Sequence, residues 1–81
     1  MAMDIEVRYF AAARAAAGEN RVRVNPGTLS AIIAELGRAN PALAHVIAQC
    51  SFLVDSVAAN DIDMPVNAGS VIDVLPRFAG G

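Results

Sequence analysis

Thr28-Leu29-Ser30-Ala31-Ile32-Ile33-Ala34-Glu35-Leu36-Gly37 is the stretch on which the architecture turns. Leu29, Ile32, Ile33 and Leu36 stand at i, i+3, i+4 and i+7, so a helix gathers them into one apolar stripe. Thr28 offers a hydroxyl to cap the first turn, and Gly37 predicts the close of the helix. A helix with a single apolar stripe must bury it against an opposing layer, and the flanking sequence supplies strands. Upstream, Ile5, Val7 and Tyr9 alternate with Glu6 and Arg8, and Arg21-Val22-Arg23-Val24 repeats that period of two. Asn25-Pro26-Gly27 then reads as a turn. The two strands make a plausible antiparallel pair, with a connection longer than a tight hairpin needs.

Downstream, Phe52-Leu53-Val54 begins a strand that 56–59 either continues or bends. Residues 62–64 make at best a short strand broken by Pro65. Asn67-Ala68-Gly69 is a turn, and Val71-Ile72-Asp73-Val74-Leu75 is the closing strand, stopped at Pro76 for want of an N–H. A short helix or turn and a further short helix complete the pattern. Residues 11–17 form an alanine-rich run ended by Gly18, and Asn40-Pro41 opens a helix with Leu43, Val46 and Ile47 inward. The order predicts an α+β domain in which a mixed sheet of four or five strands packs on one main helix. Setting the first and last strands side by side and parallel at the sheet centre gives the β-grasp, or ubiquitin-like, arrangement. The expected organisation is one domain over 1–81, with a flexible tail at 77–81.

Composition narrows the chemistry. The net charge is −2, and all six basic residues are arginines, Arg8, Arg14, Arg21, Arg23, Arg38 and Arg77. There is neither the basic stripe nor the stacking aromatics that nucleic-acid binding requires. Without lysine, any Schiff-base chemistry has to come from another protein. The single cysteine, Cys50, excludes an internal disulfide and a cysteine metal site, and its apolar neighbours favour an inert thiol. His45 lies beside an apolar stripe with no second ligand near it and reads as an ordinary surface or edge histidine. Asp55, Asp61 and Asp63 match no calcium-loop spacing and read as solvated loop acids. No metal or cofactor is expected. No stretch is long enough to span a bilayer, Asp4 and the immediate strand pattern argue against a signal peptide, and a soluble cytoplasmic protein is expected.

The remaining feature is Phe78-Ala79-Gly80-Gly81, directly after the closing strand. Two residues without Cβ can thread a channel too narrow for any other pair. The functional group at that end is the α-carboxylate of Gly81.

Val7-Arg8-Tyr9-Phe10-Ala11-Ala12-Ala13-Arg14, the Pro26-Gly27-Thr28 helix entry and Val74-Leu75-Pro76-Arg77-Phe78-Ala79-Gly80-Gly81 together resemble the MoaD/ThiS group of ubiquitin-like sulfur carriers, which includes the small subunit of molybdopterin synthase. The likeness runs in order from Ile5 to Gly81. It implies that a partner enzyme uses ATP to adenylate the Gly81 carboxylate, and that a sulfur donor converts the acyl-adenylate to a thiocarboxylate. The large synthase subunit then uses that sulfur on a cyclic pyranopterin precursor during molybdenum cofactor synthesis. It further implies a heterotetramer with that subunit. Gly81 would carry the sulfur, Gly80 and Ala79 would keep the tail narrow, Phe78 would anchor on the partner, and Arg77 and Leu75 would lie at the interface. Against the family pattern, Arg77 replaces a second proline, Ser56-Val57 stands where Asn-Gly is usual, and Ser70 replaces an acid. Carriers for thiamin thiazole, cysteine or thionucleoside synthesis, a ubiquitin-like protein tag and a plain binding module are the alternatives.

Overall fold

The computed structural model describes residues 4–77. The elements run β1 (Ile5–Tyr9), α1 (Ala11–Ala17), β2 (Arg21–Val24), β3 (Gly27–Thr28), α2 (Leu29–Ala39), α3 (Pro41–Ile47), β4 (Cys50–Val54), β5 (Val57–Ala58), β6 (Pro65–Val66) and β7 (Val71–Pro76). Five strands form one sheet in the order β2-β1-β7-β4-β5, while β3 and β6 pair separately. β1 and β7 are parallel neighbours at its centre, and the other pairs are antiparallel. This is the β-grasp arrangement expected.

Register decides which side chains meet the helices. Val7 lies opposite Ile72 and Tyr9 opposite Val74, which in turn faces Phe52 of β4. These alternate residues share the covered face of the sheet. The α2 stripe buries Leu29, Ile32 and Leu36 there, and Leu43 and Ile47 of α3 join them. Ile33 and Val46 are half-buried at the margin of this core. Thr28 caps α2 as expected, its hydroxyl accepting from the Ala31 amide at 3.2 Å.

Three local expectations change. First, α2 continues through Gly37 to Ala39. A Cβ on Gly37 would stand 3.0 Å from the Ala44 Cβ, so this glycine serves the close crossing of α2 and α3 rather than a helix stop. Asn40 ends α2, and its side chain accepts from the Leu43 amide to start α3 while donating to the Ala16 carbonyl of α1. Second, 62–64 is not a strand. The Met64 and Ile62 carbonyls instead accept from the Leu29 and Ser30 amides at 2.9 and 2.6 Å, satisfying two donors that α2 cannot satisfy internally. The pairing strand is Pro65–Val66, one step later, against Gly27–Thr28. Third, the β4–β5 turn is Asp55-Ser56, with φ of 52° and 70°, one residue before the Ser56-Val57 position matched to the family's Asn-Gly. A two-residue hairpin turn with both φ positive is the geometry that normally selects Asn-Gly.

Candidate functional site

β7 carries the chain end out of the middle of the sheet. Pro76 is its last residue, opposite Cys50, and the Arg77 amide donates to the Gln49 carbonyl at 3.2 Å. Arg77 is exposed, and Leu75 is half-buried opposite Ser51. The strand is thus held by β1 as far as Val74 and by β4 through Pro76, and the Arg77 amide adds one more bond on the β4 side. Phe78, Ala79, Gly80 and Gly81, the core of the expected site, lie outside the described residues. Four extended residues beyond Arg77 reach at most about 14 Å.

The face of the sheet away from the helices surrounds this exit. Leu75, Asp73 and Val71 of β7 alternate onto it, beside Leu53 and Ser51 of β4 and Arg8 and Glu6 of β1. At its centre the Arg8 Nε and Nη2 donate to the two carboxylate oxygens of Asp73, at 2.6 and 3.0 Å. Asp73 is only 6 % exposed, the one buried charged residue among those described. The hydrogen bonds to Asp73, and then its charge, hold the Arg8 guanidinium proton more tightly than usual. Arg8 also lies 6.0 Å from the ring centre of the exposed Phe10. The pair neutralises itself, so Leu53, Leu75 and Val71 surround a rigid polar centre that presents no net charge.

This pair is the feature sequence reasoning missed. Opposite charges at the middle of the first and last strands were the available signal once those strands were set in parallel. Asp55 is a second case. It is exposed, as expected of a loop acid, but its carboxylate accepts from Ser70 Oγ and the Val71 amide, both at 2.9 Å, tying the β4–β5 turn to the start of β7. Ser70, where the family has an acid, thus donates to an acid supplied by another loop. Asp61 accepts from the Asp63 amide, and Asp63 from Ser30 Oγ. No group of three or more metal-ligating side chains occurs among the described residues.

The titratable candidates are poorly suited to catalysis. Burial pushes the Cys50 thiol up, away from the reactive thiolate, and its Sγ donates to the Val46 carbonyl at 3.3 Å. Cys50 is half-buried rather than fully buried. His45 is exposed on α3. The Tyr9 phenol is pushed up to about 12, first by burial and then by the charge of Glu19. Neither Cys50 nor Tyr9 is poised to exchange a proton near neutral pH.

Comparison with known families gives a match to the ThiS family model over residues 7–81. The chain belongs to the ThiS family. Among solved structures, this ThiS-family chain is similar to small archaeal modifier protein 1 from Haloferax volcanii, at 26% identity and a TM-score of 0.80, over 95% of this chain and 98% of that one. It is similar in fold to a chain of the complex of subunits 1 and 2 of molybdopterin-converting factor from Helicobacter pylori, with 23% identity and a TM-score of 0.74, covering 95% and 97%. Small archaeal modifier protein 1 from Methanosarcina acetivorans shares 20% identity with a TM-score of 0.81, covering 95% of each chain. The comparison with curated proteins gave no match. No helix of the described residues is long and apolar enough to cross a membrane.

Proposed function

We propose that this ThiS-family protein is the sulfur-donor subunit of a molybdopterin synthase, with Gly81 as its mature terminus. The observation that carries the reading is the family match, which runs through Gly81, five residues beyond the end of β7 at Pro76. A partner enzyme transfers the adenylyl group of ATP to a Gly81 carboxylate oxygen and releases pyrophosphate. The resulting mixed anhydride has a good leaving group where the free carboxylate has none. A sulfur donor attacks the acyl carbon, AMP leaves, and the terminus becomes a thiocarboxylate. That anion is softer and more nucleophilic than a carboxylate, which suits delivery of sulfur to the pyranopterin precursor.

The pocket and the acid–base groups belong to the large subunit. Phe78 anchors the tail there, Ala79 and Gly80 pass the constriction, and Leu75 and Arg77 sit at the margin of the interface. Assembly as a heterotetramer of two small and two large subunits follows from the family resemblance. A cytoplasmic location accords with the use of ATP by the activating partner.

The direct test is intact mass after incubation with ATP, the activating enzyme and a sulfur source. The chain should gain the mass difference between sulfur and oxygen, and a variant lacking Gly81, or extended by one residue, should gain nothing while remaining folded. Cys50→Ser should load normally, and failure to load without unfolding would place the sulfur on the wrong residue. The likeness to small archaeal modifier protein 1 supports one rival, a protein tag joined through Gly81 to target lysines. Recovery of the chain in amide linkage to other proteins, with no support of pterin sulfuration, would favour the tag.

A further inference from the structure

A groove separates β2 from α2 and encloses about 480 Å³, the size of a small-molecule site. Val22 and Val24 line it from β2, and Ala31, Ile32 and Leu36 from α2. Ile32 and Leu36 are buried and make its base, while the two valines are half-buried because β2 ends the sheet. Arg23 borders the groove through its backbone. Strand alternation puts its side chain, like that of the facing Glu6, on the other face of the sheet.

Two polar side chains at one end of this apolar trough are unpaired. Tyr9 points to the helix side of the sheet, as Ile5 and Val7 do, and lines the groove. Among the described residues, every fully sealed side-chain nitrogen or oxygen has a hydrogen-bond partner. The Tyr9 hydroxyl makes no hydrogen bond, so in a residue only 3 % exposed it opens into the groove. The Tyr9 amide donates to the Asn20 carbonyl at 2.9 Å, which sets Tyr9 beside the start of β2 and next to Glu19. Glu19 lines the same end, makes no ion pair or hydrogen bond, and its charge bears on the Tyr9 phenol. The other polar groups are committed. Glu35 pairs with Arg38, and the Asn40 side chain bonds to the Ala16 carbonyl and the Leu43 amide.

We propose that the groove binds a small primary amine with an apolar body, of the arylalkylamine kind. Its ammonium group donates to the Glu19 carboxylate and to the Tyr9 hydroxyl oxygen, supplying both with the partner they lack. Its body lies on Ile32 and Leu36, between the two valines and Ala31. The charges select against an anion, because both acids of the lining are available to repel it and the Arg23 side chain is on the other face. A neutral ligand would cover Glu19 without neutralising it. One point of charge beside a short apolar trough is the pattern of a small-molecule site rather than of a long chain. The site is independent of the Gly81 chemistry and lies on the helix side of the sheet.

The test is titration of the full, isotope-labelled chain with phenethylamine, followed by amide and methyl NMR. Saturable shifts centred on Tyr9, Glu19, Val22, Val24, Ile32 and Leu36 are expected. Glu19→Gln, an exposed replacement of equal shape, should weaken binding about fivefold or more by removing the charge. Tyr9→Phe, which keeps the ring, should weaken it about threefold or more. Each variant's own spectrum verifies its fold. Phenylpropionate and phenethyl alcohol, the anionic and neutral counterparts, should bind far more weakly. Equal binding of either overturns the proposal, as does native affinity in Glu19→Gln or the absence of saturable shifts at millimolar amine. Shifts confined to Leu53 and Leu75 on the far face overturn it as well. Tighter binding of a blocked lysine tripeptide would assign the groove to a partner protein and likewise overturn the small-molecule site.

Discussion

Tyr9 closes β1 with the residue 3 % exposed and its phenol pushed up to about 12. In the unfolded chain the same group titrates near 10. The folded form therefore holds a proton that the unfolded form has lost throughout that interval. Stability from this source is complete below pH 10 and is lost as the pH rises toward 12, by about 2 kcal/mol once solvent screening is allowed for. Burial of Cys50 acts in the same direction at somewhat lower pH. Urea unfolding across pH 9–12 should show a falling midpoint in the native chain and a clearly shallower fall in Tyr9→Phe. Identical slopes would mean that Tyr9 ionises without disturbing the core. The burial of Tyr9 was legible from its place in an alternating strand. The Arg8–Asp73 pair was not, because alternation marks both residues as facing away from the core, and only register reveals that they meet and that Asp73 is covered.

At the scale of elements, legibility followed periodicity. The α2 stripe, the β1 and β2 alternation and the apolar run of β7 each carry enough repeats to fix their type, and all appear where expected. The two-residue strands β3 and β6 carry no period at all, and their existence depends on how far 62–66 must travel to cap α2. Gly37 misled because a glycine near a helix end has two physical uses, and close approach to Ala44 prevailed. The β4–β5 turn offers a test. Ser56 holds φ at 70° without the freedom of glycine, while Asp55 is committed to Ser70 and Val71. Ser56→Gly should relieve the left-handed strain at a smaller entropic cost, for a net gain of about 0.5–1 kcal/mol. Thermal unfolding should then shift upward by roughly 3–6 °C. An unchanged or lower midpoint would show that the Ser56 backbone is already relaxed.

For the whole molecule, three helices cover one side of the sheet, and none of the described elements covers the other. Which face would be bare was not legible, because a strand's alternating sequence says that two faces differ but not where the helices will settle. The bare side carries Leu53 and Leu75, both half-buried, at the place where β7 releases its tail. Ordering a terminus inside a partner costs conformational entropy, and binding by the surface at its root offsets that cost. In the proposed synthase, the Leu53–Leu75 surface supplies that second contact, and its neutral Arg8–Asp73 centre is already satisfied before docking. Leu75→Asp keeps the fold, since the side chain is not in the core, but sets a new carboxylate close to Asp73 and against an apolar partner surface. Affinity for the large subunit, measured by calorimetry, should fall about thirtyfold or more, the scale of a central interface residue. Deleting Gly80 and Gly81 instead should cost less affinity while abolishing sulfur delivery. If Leu75→Asp binds as tightly as the native chain and delivers sulfur at the native rate, the tail docks alone and the bare face serves some other contact.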